Sequence, residues 1–231
     1  MENRPKKYVI ITAGGSGTRM GANVPKQMLE VGGKPILRWT IEQFLSLSFP
    51  VEIILVMNKD AVEMWREYCK RSGFAFKHIL IKGGITRFHS VKNGLKYVEK
   101  GGVVAVHDGV RPFVSTKVIE ELFSMGEKGN STIPYTRMVE SMREIDSEGI
   151  YRYADRDRYV SVQTPQVFPS DILLQSYEQG FSTEFTDDAS VVEKAGFPLS
   201  FMEGNRLNIK ITTPEDMRLA EAILSIGLDN L

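Results

Sequence analysis

The chain has 231 residues, of which 42% are hydrophobic, and its 29 Lys and Arg balance 29 Asp and Glu to a formal net charge of zero. That length and apolar content can fill one large α/β core, while the balanced charge excludes the global basic field of a nucleic-acid binder and favours a small anionic ligand. A lone cysteine, Cys69, excludes a disulfide or thiolate metal site, and the absence of an apolar leader or membrane-length run leads us to expect a soluble cytoplasmic protein without membrane or nucleic-acid partners.

In chain order, the apolar run Tyr8 to Ala13 predicts a buried strand, and it feeds Ala13-Gly14-Gly15-Ser16-Gly17-Thr18-Arg19-Met20-Gly21, with Pro25-Lys26-Gln27 shortly after. Gly14, Gly15 and Gly17 let backbone N–H groups approach an anion, and Arg19 and Lys26 supply charge for a polyphosphate. The spacing fits neither common phosphate loop. Met20 stands where a dinucleotide fingerprint needs glycine, and Gly33-Lys34 is followed by Pro35 rather than by Ser or Thr. The glycines alone suit an ordinary strand-to-helix turn equally well; the two cations favour phosphate binding.

Further strands are predicted at Val51 to Met57, Lys77 to Ile81 and Val103 to His107, with helices at Pro35 to Leu47, Asp60 to Ser72, His89 to Lys100 and Ser115 to Lys128. This alternation implies a Rossmann-like, mostly parallel twisted sheet with helices on both faces, whose ligands bind beyond the carboxyl ends of the strands. The segments Lys82 to Arg87 and Asp108-Gly109-Val110-Arg111-Pro112 follow two of those strands. From Met138 to Gln163 the pattern breaks into a charged stretch with a turn at Asp146 to Gly149. We read it as a two-stranded arm inserted in a single domain spanning 1–231; a disordered loop is the alternative. An isolated hairpin is marginal in water, so a second subunit is the economical support. Helices at Pro169 to Gln179 and Asp187 to Ala195, strands near Leu199 to Met202 and at Leu207 to Thr212, and a helix from Pro214 capped by Thr213 complete the chain.

Seven segments carry a resemblance: Ala13 to Met20 with Pro25-Lys26-Gln27, Gly83-Gly84 with Arg87 and Ser90-Val91, and His107 to Pro112 among the earlier ones. Gln163-Thr164-Pro165-Gln166, Thr186-Asp187-Asp188-Ala189-Ser190 and Asn208-Ile209-Lys210-Ile211-Thr212 continue it. Together they resemble the nucleoside-diphosphate-sugar pyrophosphorylase group and, within it, the 2-C-methyl-D-erythritol 4-phosphate cytidylyltransferase family of non-mevalonate isoprenoid biosynthesis. The resemblance implies a nucleotidyltransferase that joins CTP to a polyol phosphate and releases pyrophosphate. It further implies Mg2+, for which Asp108 is the candidate protein ligand and the nucleotide phosphates supply the rest, and a homodimer built through the arm. By resemblance Arg19 and Lys26 meet the triphosphate, with Ala13, Gly14, Gly15 and Gly17 lining the same oxygens, and Lys210 meets the attacking phosphate. Gly83, Gly84 and Ser90 select the base, and Arg87 joins them or braces their loop; Ser90 suits a helix cap as well. Asp108, Arg111, Thr164 and Thr186 belong to the acceptor, joined from a neighbouring subunit by Ser141 and by Arg156, with Arg158 its rival. Surface charge is the alternative for the lysines, and an ordinary turn for Asp108. His107 reads as a structural hydrogen-bonding residue. Glu140-Ser141 departs from the family's usual Asp-Thr, which leaves ribitol 5-phosphate as an alternative acceptor and a non-catalytic nucleotide-binding protein as a third reading.

Overall fold

A computed structural model describes residues 5–15 and 24–227. Its elements are β1 (Lys7–Ala13), β2 (Glu30–Val31), β3 (Lys34–Pro35), α1 (Ile36–Leu45), β4 (Glu52–Met57), α2 (Lys59–Ser72), β5 (His78–Lys82), α3 (Arg87–Leu95), β6 (Val103–Asp108) and α4 (Thr116–Glu127). There follow β7 (Thr132–Arg137), β8 (Met142–Ile145), β9 (Tyr151–Ala154), β10 (Val160–Val162), β11 (Gln166–Pro169), α5 (Ser170–Ser176), α6 (Asp188–Lys194), β12 (Ser200–Glu203) and α7 (Pro214–Ile226).

The main sheet runs β10-β7-β11-β6-β1-β4-β5, with β12 also pairing β7. Strands β6, β1, β4 and β5 are parallel, and they read as unbroken apolar runs because helices cover both faces. On one face Val9, Ile11, Leu55 and Ala105 pack with Leu37, Phe44, Trp65 and Phe123; on the other Tyr8, Ile10, Val56 and Val106 pack with Val91, Leu95 and Val192. A third cluster, including Val31, Ile36, Phe113, Ile211 and Ile223, seats the β2–β3 hairpin and α7.

The chain steps outward from β1 to β4 and β5, then returns to place β6 on the other side of β1. That reversal opens a crevice between β1 and β6, the usual ligand position in such sheets. The register aligns Thr12 with Asp108, Ala13 with Met57, and Met57 with Lys82, so the loops after all four strands leave from one edge.

The predicted α/β class holds, with three local differences. The segment Leu207 to Thr212 forms no strand; it is lashed to its neighbour by single bonds such as Ile211 N–H to the Val110 carbonyl, 2.9 Å. Within 138–163, only β8 and β9 form a separate two-stranded sheet around the Asp146 turn, whereas β10 pairs antiparallel with β7 in the main sheet. Helix α3 starts at Arg87, two residues before the predicted start, because Thr86 rather than a later residue caps it. Among the described residues no helix is long and apolar enough to cross a membrane.

Candidate active site

The end of β1 is tied to the turn at Lys26–Met28 by Gln27, fully buried, whose Nε2 donates to the Ala13 carbonyl at 2.6 Å. A Cβ at Gly15 would lie 3.1 Å from Lys26 Cε, so the missing side chain leaves room for the lysine stem. Across the crevice, a Cβ at Gly84 would lie 2.3 Å from His89 Cβ, which no relaxation of a side-chain tip relieves. Ser90 Oγ accepts from Gly84 N–H and donates to the Thr86 carbonyl, each at 3.0 Å, and so holds the glycine loop in shape with one lone pair left for a ligand.

These residues line a cavity of about 470 Å³: Ala13, Gly14, Gly15, Lys26, Gly84, Arg87, Ser90, Asp108 and Lys210 among them. Its charged lining is three cations against one carboxylate, suited to a polyanion. Gly83 lines an adjoining cavity with Gly14, Gly84 and Ile85. A further cavity of about 210 Å³ has Arg111, Thr164 and Thr186 in its wall, together with Arg87, Asp108 and Lys210. The last three residues therefore form a boundary shared by the 470 Å³ and 210 Å³ cavities.

Asp108 is the hub of that boundary. Its Oδ2 meets Lys210 Nζ at 2.9 Å and Arg111 Nε at 3.5 Å, and its Oδ1 faces Arg87 Nε at 3.6 Å. Burial alone would raise the pKa of this carboxyl, but Arg87, Lys210 and Arg111 outweigh it and hold the group well below the ordinary carboxylate range. For Arg87 burial opposes the charge, and the adjacent Asp188 and Asp108 more than compensate. Arg111 is lowered from the usual arginine value, chiefly by burial. Lys210 is delivered by the irregular segment after β12, which Arg111 Nη1 grips through the Asn208 carbonyl at 2.8 Å. Asn208 Nδ2 in turn donates to the Thr164 carbonyl at 2.8 Å.

His107 takes the structural hydrogen-bonding place expected of it, whereas the ion pair of Arg87 with Asp188 escaped the sequence reading. His107 is completely buried and its ring is fixed by partners: only Nε2 can donate to the Arg111 carbonyl at 3.0 Å, which leaves Nδ1 to accept from Thr164 Oγ1 at 3.1 Å. Thr164 Oγ1 also accepts from the Asp108 amide at 3.1 Å, so this hydroxyl is engaged within the chain. Burial, above all, lowers the His107 pKa to about 4. Arg87, which lines the 470 Å³ cavity, also donates from Nη2 to Asp188 at 2.6 Å. Asp187 caps α6 in a capping box with Ser190, but nothing local marks its neighbour Asp188 as an ion-pair partner.

Of the remaining predicted residues, Arg19 and Gly17 lie outside the described residues. Ser141 and Arg156 are exposed on the arm and line neither the 470 Å³ nor the 210 Å³ cavity of their own chain; Arg156 Nη1 donates to the Val139 carbonyl at 2.5 Å. Arg158 is exposed beside it. The surroundings of Asp108 do not suit a metal ligand, since both oxygens face cations, and the described residues contain no cluster of three His, Cys, Asp or Glu able to hold an ion.

A family model described as "IspD: 2-C-methyl-D-erythritol 4-phosphate cytidylyltransferase" matches residues 8–226. A protein of that name from Bacteroides fragilis is 50% identical over 94% of this chain and 99% of its own, and one from Geobacillus thermodenitrificans is 35% identical over 94% and 96%. Among solved structures, the 4-diphosphocytidyl-2C-methyl-D-erythritol synthase of Anaerococcus prevotii superposes with a TM-score of 0.82 at 29% identity, covering 96% of this chain and 97% of that one. The 2-C-methyl-D-erythritol 4-phosphate cytidylyltransferase of Thermus thermophilus gives 0.75 at 27%, covering 95% and 99%.

Proposed function

The chain belongs to the 2-C-methyl-D-erythritol 4-phosphate cytidylyltransferase family, and from that premise we propose that it joins CTP to 2-C-methyl-D-erythritol 4-phosphate and releases pyrophosphate. The observation that carries this reading is the boundary of Arg87, Asp108 and Lys210 between two cavities, one lined by glycines and Lys26, the other by Arg111 and Thr186. Two phosphates brought to opposite sides of one cationic wall meet at that wall. A phosphate oxygen of the acceptor attacks the α-phosphorus of CTP, a new P–O bond forms, and the bond from the α-phosphorus to the bridging oxygen breaks as pyrophosphate leaves. Positioning and charge stabilisation suffice, without a covalent nucleophile. Lys26 and the amides of Gly14 and Gly15 face the triphosphate and its developing charge. Lys210, 43% exposed and tethered to Asp108, is free to swing its ammonium onto the incoming phosphate.

Magnesium enters this reading as an ion carried by the nucleotide phosphates, whose charge it screens, rather than by Asp108. The chain acts in the cytoplasm as a homodimer. Support for the dimer comes from the β8–β9 hairpin, whose Tyr151 and Tyr153 are 70% and 76% exposed on an element too small to be stable alone. On this reading the arm carries Ser141 and Arg156 to the partner's acceptor cavity. Pyrophosphate release from CTP, measured in parallel with 2-C-methyl-D-erythritol 4-phosphate and ribitol 5-phosphate, tests the proposal. Turnover with the first and little with the second is expected; the reverse preference would overturn it.

A further inference from the structure

Asp188 is fully buried, at 0% exposure, and does not line either cavity bounded by Arg87, yet its two oxygens are both committed. Oδ1 accepts the Tyr177 hydroxyl at 2.6 Å, and Oδ2 accepts Arg87 Nη2 at 2.6 Å. The same Arg87 presents Nε to Asp108 Oδ1 at 3.6 Å. Three helices meet here: Arg87 opens α3, Tyr177 closes α5 and Asp188 opens α6. The Tyr177 ring stacks on Phe88 with centroids 4.7 Å apart, which leaves its hydroxyl little freedom to turn from Asp188. A buried carboxylate with such partners is costly to disturb, because losing one strands the other's charge.

Arg87 thus has its charge matched from behind before any ligand arrives. If Asp188 were neutral, the guanidinium would close on Asp108 and draw that carboxylate off Lys210 and Arg111. We propose that Asp188, oriented by Tyr177, is a positioning residue for the acceptor: it holds Arg87 at a set distance from Asp108, so that Asp108 keeps Oδ2 for Lys210 and Arg111. The inference rests on the functional reading above. It assigns Asp188 an effect chiefly on the acceptor side, because what it preserves is the hold of Asp108 Oδ2 on Lys210 and Arg111, the residues read above as meeting the acceptor.

Steady-state kinetics on the full-length chain, varying CTP and 2-C-methyl-D-erythritol 4-phosphate separately, test this. Asp188→Asn should lower kcat/KM for the acceptor by about 30-fold, the scale of a lost charged hydrogen bond, and leave KM for CTP within about threefold. Tyr177→Phe, which keeps the ring stack, should show the same split at about five-fold. Arg87→Lys combined with Asp188→Asn should be no worse than the poorer single variant, because both act through one contact, whereas two independent structural lesions would multiply. Thermal unfolding reports whether each variant folds; if Asp188→Asn does not, the split in Tyr177→Phe decides. Equal losses for the two substrates, multiplicative losses, or acceptor kinetics within threefold of wild type would overturn the inference. A wild-type chain that fails to turn over the acceptor would sink the functional reading itself, a result visible before any variant is made.

Discussion

Acidification should destabilise this chain through His107 before its ordinary carboxylates titrate. The imidazole resists a second proton: burial opposes its charge above all, Arg111 and Arg87 add positive charge nearby, and Nδ1 already accepts from Thr164. Together these outweigh the Arg111 carbonyl that accepts from Nε2–H and the carboxylate of Asp108. Its pKa is about 4 in the folded chain against an ordinary 6.5, so the folded state takes up this proton less readily than the unfolded one. Stability therefore falls as the pH drops below about 6.5, and the loss is complete below about 4. Between pH 7.5 and pH 5 this one site should cost about 2 kcal/mol, which for a chain of this length is about 4–8 °C in Tm. Asp108, also lowered, acts in the same direction but only under more acidic conditions. Urea unfolding of wild type and His107→Phe at pH 7.5 and pH 5 isolates the term. The variant keeps an aromatic edge against Phe44, loses stability at pH 7.5, and should shed the excess pH dependence. Equal pH slopes in the two proteins, within about 0.5 kcal/mol, would refute the assignment of that slope to His107.

Lys26→Ala should reduce turnover by about 100-fold or more, as expected for a partner of transition-state charge; turnover within about threefold of wild type would remove Lys26 from that role. Chelator in excess should abolish pyrophosphate release, and magnesium should restore it; full activity in chelator would contradict a phosphate-borne ion. Gly84→Ala, whose new Cβ would meet His89 at 2.3 Å, should distort the glycine loop and raise KM for CTP by about tenfold or more, with unchanged CTP kinetics as the contrary result. Refolding Arg156→Ala and Lys26→Ala chains together should restore about a quarter of the sites if the arm crosses to a partner of two-fold symmetry. Demonstrated heterodimers without recovery would show that the arm serves its own chain.

The parallel core was legible because strands buried on both faces spell continuous Val and Ile runs, and β1, β4, β5 and β6 lie where those runs do. Strands β7 and β11 were not, since Thr132-Ile133-Pro134-Tyr135 and Gln166-Val167-Phe168-Pro169 each carry a proline that reads as an edge or a turn. The error at Leu207 to Thr212 has a related cause. Its apolar Ile209 and Ile211 alternate as a strand would, but they pack with the hairpin and α7 instead of joining a ladder. At the site, glycines and cations announced themselves by type and spacing. The coupling of Asp188 to Arg87 across a sequence separation of 101 residues did not, because a buried ion pair is a property of the fold's closure and not of either local segment.

The wall of Arg87, Asp108 and Lys210 also limits how this protein can diverge. All three line both cavities, so replacing any of them reshapes the 470 Å³ cavity along with the 210 Å³ one. Val162, Thr186 and Asp187 touch the 210 Å³ cavity without lining the other. On the proposed function, such positions on β10 and the approach to α6 are where a side chain can alter the size or polarity of the smaller cavity while the larger one keeps its shape.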